Sequence, residues 1–190
     1  DNDGYNAFAL SKSKESVEAF WVQLKVAEQS SKGVRLKDMP AEWFAVPTDE
    51  AMKNSMVATR CVFTCNRLMD EEKFEEADAL MAHLLEIESG IVGLHHDLLM
   101  CDRIYVELIG QNRTEVIASM MTKEQKKFMK AMKRFPSVLR TQYALAVLEE
   151  KNASKAETIK GDFDKAAKSY PYPHEIESER ELMRIVDQKC

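Results

Sequence analysis

The sequence predicts an all-α fold of about eight to nine helices, arranged as antiparallel helical hairpins. Three observations carry this. Only 6 Gly and 5 Pro punctuate 190 residues, while Ala, Leu, Met, Lys and Glu dominate and β-branched residues are sparse. No segment sustains the apolar/polar alternation of a strand. Twice, an alanine near the start of a helix follows a small residue of the preceding helix by twelve positions, as Cys65/Ala77 and Ala144/Ala156. Small residues at such places let two helix axes approach closely.

The elements follow in order. Residues 1–12 hold Gly and Asn and read as a flexible arm. Ser13 is an N-cap for a helix over 14–32, with Val17, Phe20, Trp21, Leu24 and Ala27 as its apolar stripe and Gly33 as its stop. Residues 34–48 read as an ordered connector, because Met39, Trp43 and Phe44 are too apolar for a free linker. A helix over 49–69, capped by Thr48 or Asp49, turns at Asp70–Lys73 into one over 74–88. Gly90 and Gly93 precede a helix over 92–110, and a short one occupies 114–121. Thr122 with Gln125 has the spacing of a capping box and opens a helix over 123–133. Pro136 starts a helix to 150, Asn152-Ala153-Ser154 turns into one over 154–168, and a last helix covers 174–188. The domain plan is an arm (1–12), an N-terminal helix with its connector (13–48) and a hairpin region (49–190), the last two as one structural unit.

Phe135-Pro136 recurs as Tyr170-Pro171, 35 residues on. With the two small-residue pairs, this resembles degenerate tetratricopeptide repeats, whose period is about 34 residues. The resemblance implies a short right-handed array that binds a protein or peptide.

Net charge is −5, which does not favour nucleic acid as a partner. The 4 cysteines lack the spacing of a disulfide framework, so a cytoplasmic location is expected. There is no apolar run of spanning length and no secretory signal. The chain opens on Asp, which fits a piece of a longer protein whose missing N-terminal region tethers it to the inner face of a membrane.

No nucleophile motif, zinc-protease motif, phosphate loop or dinucleotide fingerprint occurs, so the expectation is a non-enzyme without metal or cofactor. Cys61 and Cys65 share a helix face with spacing four, but without a CxxC knuckle they read as small buried hydrophobes. His95 and His96 are adjacent and point about 100° apart on a helix. His83 reads as a buried, hydrogen-bonded or rim histidine, and the acidic run Asp70–Asp78 complements a helix start.

Two surfaces stand out. In a hairpin array the first helix of each pair lines a concave face, which makes Arg60, Arg67, Arg103, Tyr105, Arg140 and Tyr143 candidate partner-binding residues. Each equally well pairs with a neighbouring carboxylate. The run Lys123, Lys126, Lys127, Lys130, Lys133 and Arg134, with Phe128, Met132 and Phe135 beside it, forms a cationic amphipathic helix. That pattern suits an anionic lipid surface or an acidic partner, or else an ordinary surface helix with its apolar edge in the core.

The segments Phe20–Leu24, Gly33–Phe44, Arg134–Leu148 and Lys168–Leu182 resemble the tetratricopeptide-like region C-terminal to the membrane protease in some Firmicute members of peptidase family M50, the site-2-protease-like zinc enzymes. That resemblance covers nearly the whole chain. It implies a cytosolic appendage that recruits substrate or a regulator. The family's HExxH motif is not in this chain, so no catalytic or zinc residue carries over. A stand-alone helical adaptor and a small metal-binding protein remain the alternatives.

Overall fold

The structure is a computed structural model and describes residues 13–189. It is all-α, with ten α-helices and no strand among the described residues. The chain divides into two compact units, Asp1–His96 and Asp97–Cys190.

The first unit is organised by its third helix, α3 (Ser55–Asp70). The opening helix α1 (Lys14–Ser31) starts at Ser13, whose hydroxyl accepts from the Ser16 amide while the Ser16 side chain returns the bond, a reciprocal cap. It ends at Gly33, whose φ of +82° closes the last turn through Gly33 N–H to Ser30 O and Val34 N–H to Gln29 O. The buried face of α1 is Ser16, Ala19, Val22 and Val26, not the stripe of Val17, Trp21 and Leu24 that the sequence presents as apolar. The connector selects that face. Its two 3-10 turns (Leu36–Asp38 and Ala41–Phe44) carry Met39 and Phe44 into a core with Val22 and Val26.

The expected helix over 49–69 is broken. A single turn, α2 (Asp49–Met52), is capped by Thr48, and α3 (Ser55–Asp70) starts afresh where the Asn54 carboxamide accepts from the Met56 amide. Against this break lies Gly90. Its N–H donates to Met52 O at 2.8 Å, and a Cβ there would sit 2.5 Å from Lys53 O. Only glycine fits such an approach. At the far end of α3, the Asp70 carboxylate faces an unfavourable helix C-terminus. Arg35 and the Lys37 amide, both from the connector, donate to it.

Helix α4 (Phe74–Glu86) packs back on α3. Cys65 and Ala77 are both fully buried where the two helices meet. The turn between them puts Glu72 at φ +58°, with Lys73 N–H bonded to Leu68 O.

Helix α5 (Gly93–Ile109) leads into the second unit, followed by α6 (Thr114–Met120) and α7 (Lys123–Ala131). Thr122 caps α7 as expected, accepting from the Gln125 amide. The Gln125 side chain does not return the bond. It is buried and donates instead to Asp97 O and Cys101 Sγ, because the interior offers it partners that the solvated cap does not. Helix α8 (Pro136–Ala144) runs into a π-helical stretch, Leu145–Glu149, and then α9 (Ala153–Ser169), capped by Asn152. The last helix, α10 (Pro173–Asp187), and α9 both pack on α8. Ala144 and Ala156 are buried at the α8–α9 contact.

Candidate functional site

Most of the arginine and tyrosine candidates are held inside their units. Arg60 is buried and donates to Trp43 O at 2.8 Å, Glu42 O at 3.1 Å and the Glu18 carboxylate at 3.1 Å. It staples the connector and α1 to α3. Arg67 lies over the Phe44 ring and donates to Glu71 and Met39 O. Tyr105 is fully buried and donates to Leu182 O at 2.9 Å, and the Tyr143 hydroxyl reaches Asp187. Arg103 is half-buried and has partners.

Arg140 is the hub of the second unit. Its side chain is 2% exposed and donates to Asp102 of α5, to Glu179 of α10 at 2.9 Å and to the Thr141 hydroxyl. Its guanidinium stacks 4.3 Å from the Tyr105 ring centroid. Burial pushes both carboxyls above their ordinary range, and Arg140 opposes that shift. Burial alone would lower the Arg140 pKa, but Glu179 and Asp102 hold it up. One cation facing two buried carboxylates ties three helices together. An arginine so enclosed offers nothing to a partner. The sequence cue that was missed is Asp102 itself, a carboxylate set among Leu99, Cys101, Ile104 and Tyr105 on the inward face of α5.

Cys61 and Cys65 are fully buried on α3, and a hydrogen bond between them lowers the Cys61 pKa. Burial pushes the Cys101 thiol up to about 12, which keeps it protonated and unreactive. His83 is exposed and bonds Asp49 at 2.7 Å. His95 is lowered by burial, and its Nδ1 has no partner. Among the described residues, no three His, Cys, Asp or Glu are arranged to hold a metal ion, and no helix is long and apolar enough to cross a membrane. An open cleft between α9 and α10 is lined by Asp164, Lys168, Pro173, Ile176 and Arg180, with Arg180 paired to Asp164.

Two features face outward. On α1, Val17, Trp21 and Leu24 are 54%, 47% and 55% exposed and form one ridge at spacings of four and three. The Trp21 ring meets Trp43 edge-on at 5.9 Å. On α7, Lys123, Lys126, Lys127 and Lys130 are exposed, as are Lys133 and Arg134 just beyond it. Met129 faces inward, and Phe128 and Met132 are half-buried.

Compared with known proteins, the chain matches no family model, no curated protein and no solved structure.

Proposed function

We propose that this chain is a non-catalytic helical protein-interaction domain that works in the cytoplasm through the outer face of α1. The observation carrying this reading is the Val17–Trp21–Leu24 ridge, three large apolar side chains left in water along one helix face. Apolar side chains scattered singly over a surface need no explanation, whereas a contiguous ridge marks a contact surface. The aromatic at its centre is of a type enriched in binding hot spots. The arginines and tyrosines are occupied internally, so the partner meets an apolar helix face rather than an arginine-lined cavity.

The finer reading keeps the tetratricopeptide-like ancestry and makes the chain the cytosolic appendage of an M50-type membrane protease. It is supported by the four resembling segments and by the small-residue pairs at both hairpin contacts. The test has two arms. A photo-crosslinking residue at position 21 of the native protein gives a discrete adduct that Val17→Asp with Leu24→Asp abolishes at unchanged helicity. Absence of any adduct overturns the interaction reading. The endogenous protein, detected with an antibody to this chain, then exceeds 21.8 kDa and pellets with membranes. A soluble species of that mass rejects the appendage and leaves a stand-alone adaptor.

A further inference from the structure

The second outward surface is independent of the ridge. Consecutive residues on an α-helix are separated by about 100°. Lys126 and Lys127 therefore bound an arc of that width, and Lys123 and Lys130 fall inside it. The opposite side of α7 carries Gln125 and Met129, both buried. The apolar edge is thus already used by the second unit, and what remains outside is a face of lysines alone. Glu124 lies beside it, outside the arc.

This face gathers several cations on one short stretch of chain. Six lysines elsewhere are answered locally: Lys25 and Lys32 by Glu28, Lys53 by Glu50, Lys73 by Glu71, Lys155 by Glu150 and Lys165 by Asp162. None of Lys123, Lys126, Lys127, Lys130, Lys133 or Arg134 joins an ion pair among the described residues. Lys123/Lys127 and Lys126/Lys130 are like-charge pairs at i,i+4, which weaken a helix. The three lysines of the first turn and a half also oppose the helix dipole. So α7 carries a concentrated positive charge, against its own stability, on a chain of net charge −5.

We propose that the lysine face of α7 adsorbs to the anionic headgroups of a lipid bilayer, with Phe135 resting at headgroup level. Two features favour lipid over nucleic acid or an acidic peptide. Five of the six cations are lysines, which act as flexible point charges, whereas fixed phosphate or carboxylate geometry is read by the arginine fork. A fluid anionic sheet imposes no spacing and suits such a face. Phe135, which follows Arg134 in the chain, is 37% exposed, so an aromatic ring is available to the same surface. The apolar edge of the helix is turned inward, so the attachment is electrostatic adsorption and not insertion. It weakens as salt shortens the screening length.

The test is sedimentation of the full chain with phosphatidylcholine vesicles, with and without phosphatidylserine. The wild type binds only the anionic vesicles, and rising salt releases it. Each lysine removed lowers the partition by roughly fivefold. The combined variant Lys123→Gln, Lys126→Gln, Lys127→Gln, Lys130→Gln loses roughly several hundredfold on the same scale. Its helicity stays that of the wild type, because all four side chains are exposed. Phe135→Ala lowers vesicle binding severalfold and leaves weak binding to a DNA duplex unchanged. Equal binding to both vesicle types, undiminished binding by the glutamine variant, or capture by the duplex at a salt concentration where anionic vesicles fail each overturns the proposal.

Discussion

Replacing Arg140 by methionine keeps an unbranched stem and most of the volume of the side chain, and removes its charge, its donors and its stack on Tyr105. Asp102 and Glu179 are then left on α5 and α10, with side chains 10% and 17% exposed and no cation between them. Breaking a buried ion pair by removing one partner typically costs about 3–5 kcal/mol, because a buried charge is stranded. The loss depends on pH. Both carboxyls already sit above their ordinary range in the folded protein, and without Arg140 they rise further. A carboxyl whose folded pKa is raised binds its proton more tightly folded than unfolded. Its penalty is therefore absent below the unfolded pKa of about 4 and grows as pH rises through the folded pKa. Urea unfolding followed by circular dichroism at pH 7 and pH 5 reads both effects. Arg140→Met loses about 3–5 kcal/mol at pH 7 and clearly less at pH 5. Adding Asp102→Asn and Glu179→Gln recovers most of the loss, as isosteric apolar or neutral replacement of a buried ionic cluster often does. A loss below about 1 kcal/mol at pH 7, or one equal at both pH values, refutes the reasoning that stranded charge dominates.

Two other perturbations test the first unit. Gly90→Ala drives a Cβ into the Lys53–Ser55 backbone, at 2.5 Å from Lys53 O and 2.6 Å from Ser55 N, and destabilises by about 1–3 kcal/mol in the same urea assay. Glu72→Gly relieves the left-handed conformation at φ +58° and, after the entropy that glycine loses on folding, stabilises by about 0.5–1 kcal/mol, read as a higher thermal midpoint. A neutral or lower midpoint would mean that the Glu72 side chain makes up for its backbone.

The features legible in the sequence were those fixed within a few residues. Ser13, Thr48, Thr122 and Asn152 each cap the helix they precede, because capping is a bond between neighbours. The Asn54 cap was written as plainly, but it sits in a run that otherwise reads as one helix. What failed was whatever depended on distant partners. Helix α1 has two apolar stripes, and only the connector, folding Met39 and Phe44 under it, decides which is buried. Arg60 and Arg140 look alike in sequence to surface hot spots. They become internal staples because Trp43 O, Asp102 and Glu179 converge on them from elements far along the chain. The lysines of α7 needed no such convergence, since an exposed face is specified by the helix alone.

The two hairpins share a spacing of twelve between their small residues, yet they travel that distance by different routes. Between Cys65 and Ala77 the helix closes conventionally and Glu72 reverses the chain. Between Ala144 and Ala156 the helix first widens, with Glu150 N–H reaching back to Leu145 O and Asn152 N–H to Ala146 O, and the reversal falls on Lys151. Wide turns of this kind absorb an extra residue without ending a helix. Here no residue is added: in both hairpins the left-handed residue falls seven positions after the small residue and five before the alanine. The two hairpins therefore stay in register residue for residue, and the widening at Leu145–Glu149 is taken up within the turn itself.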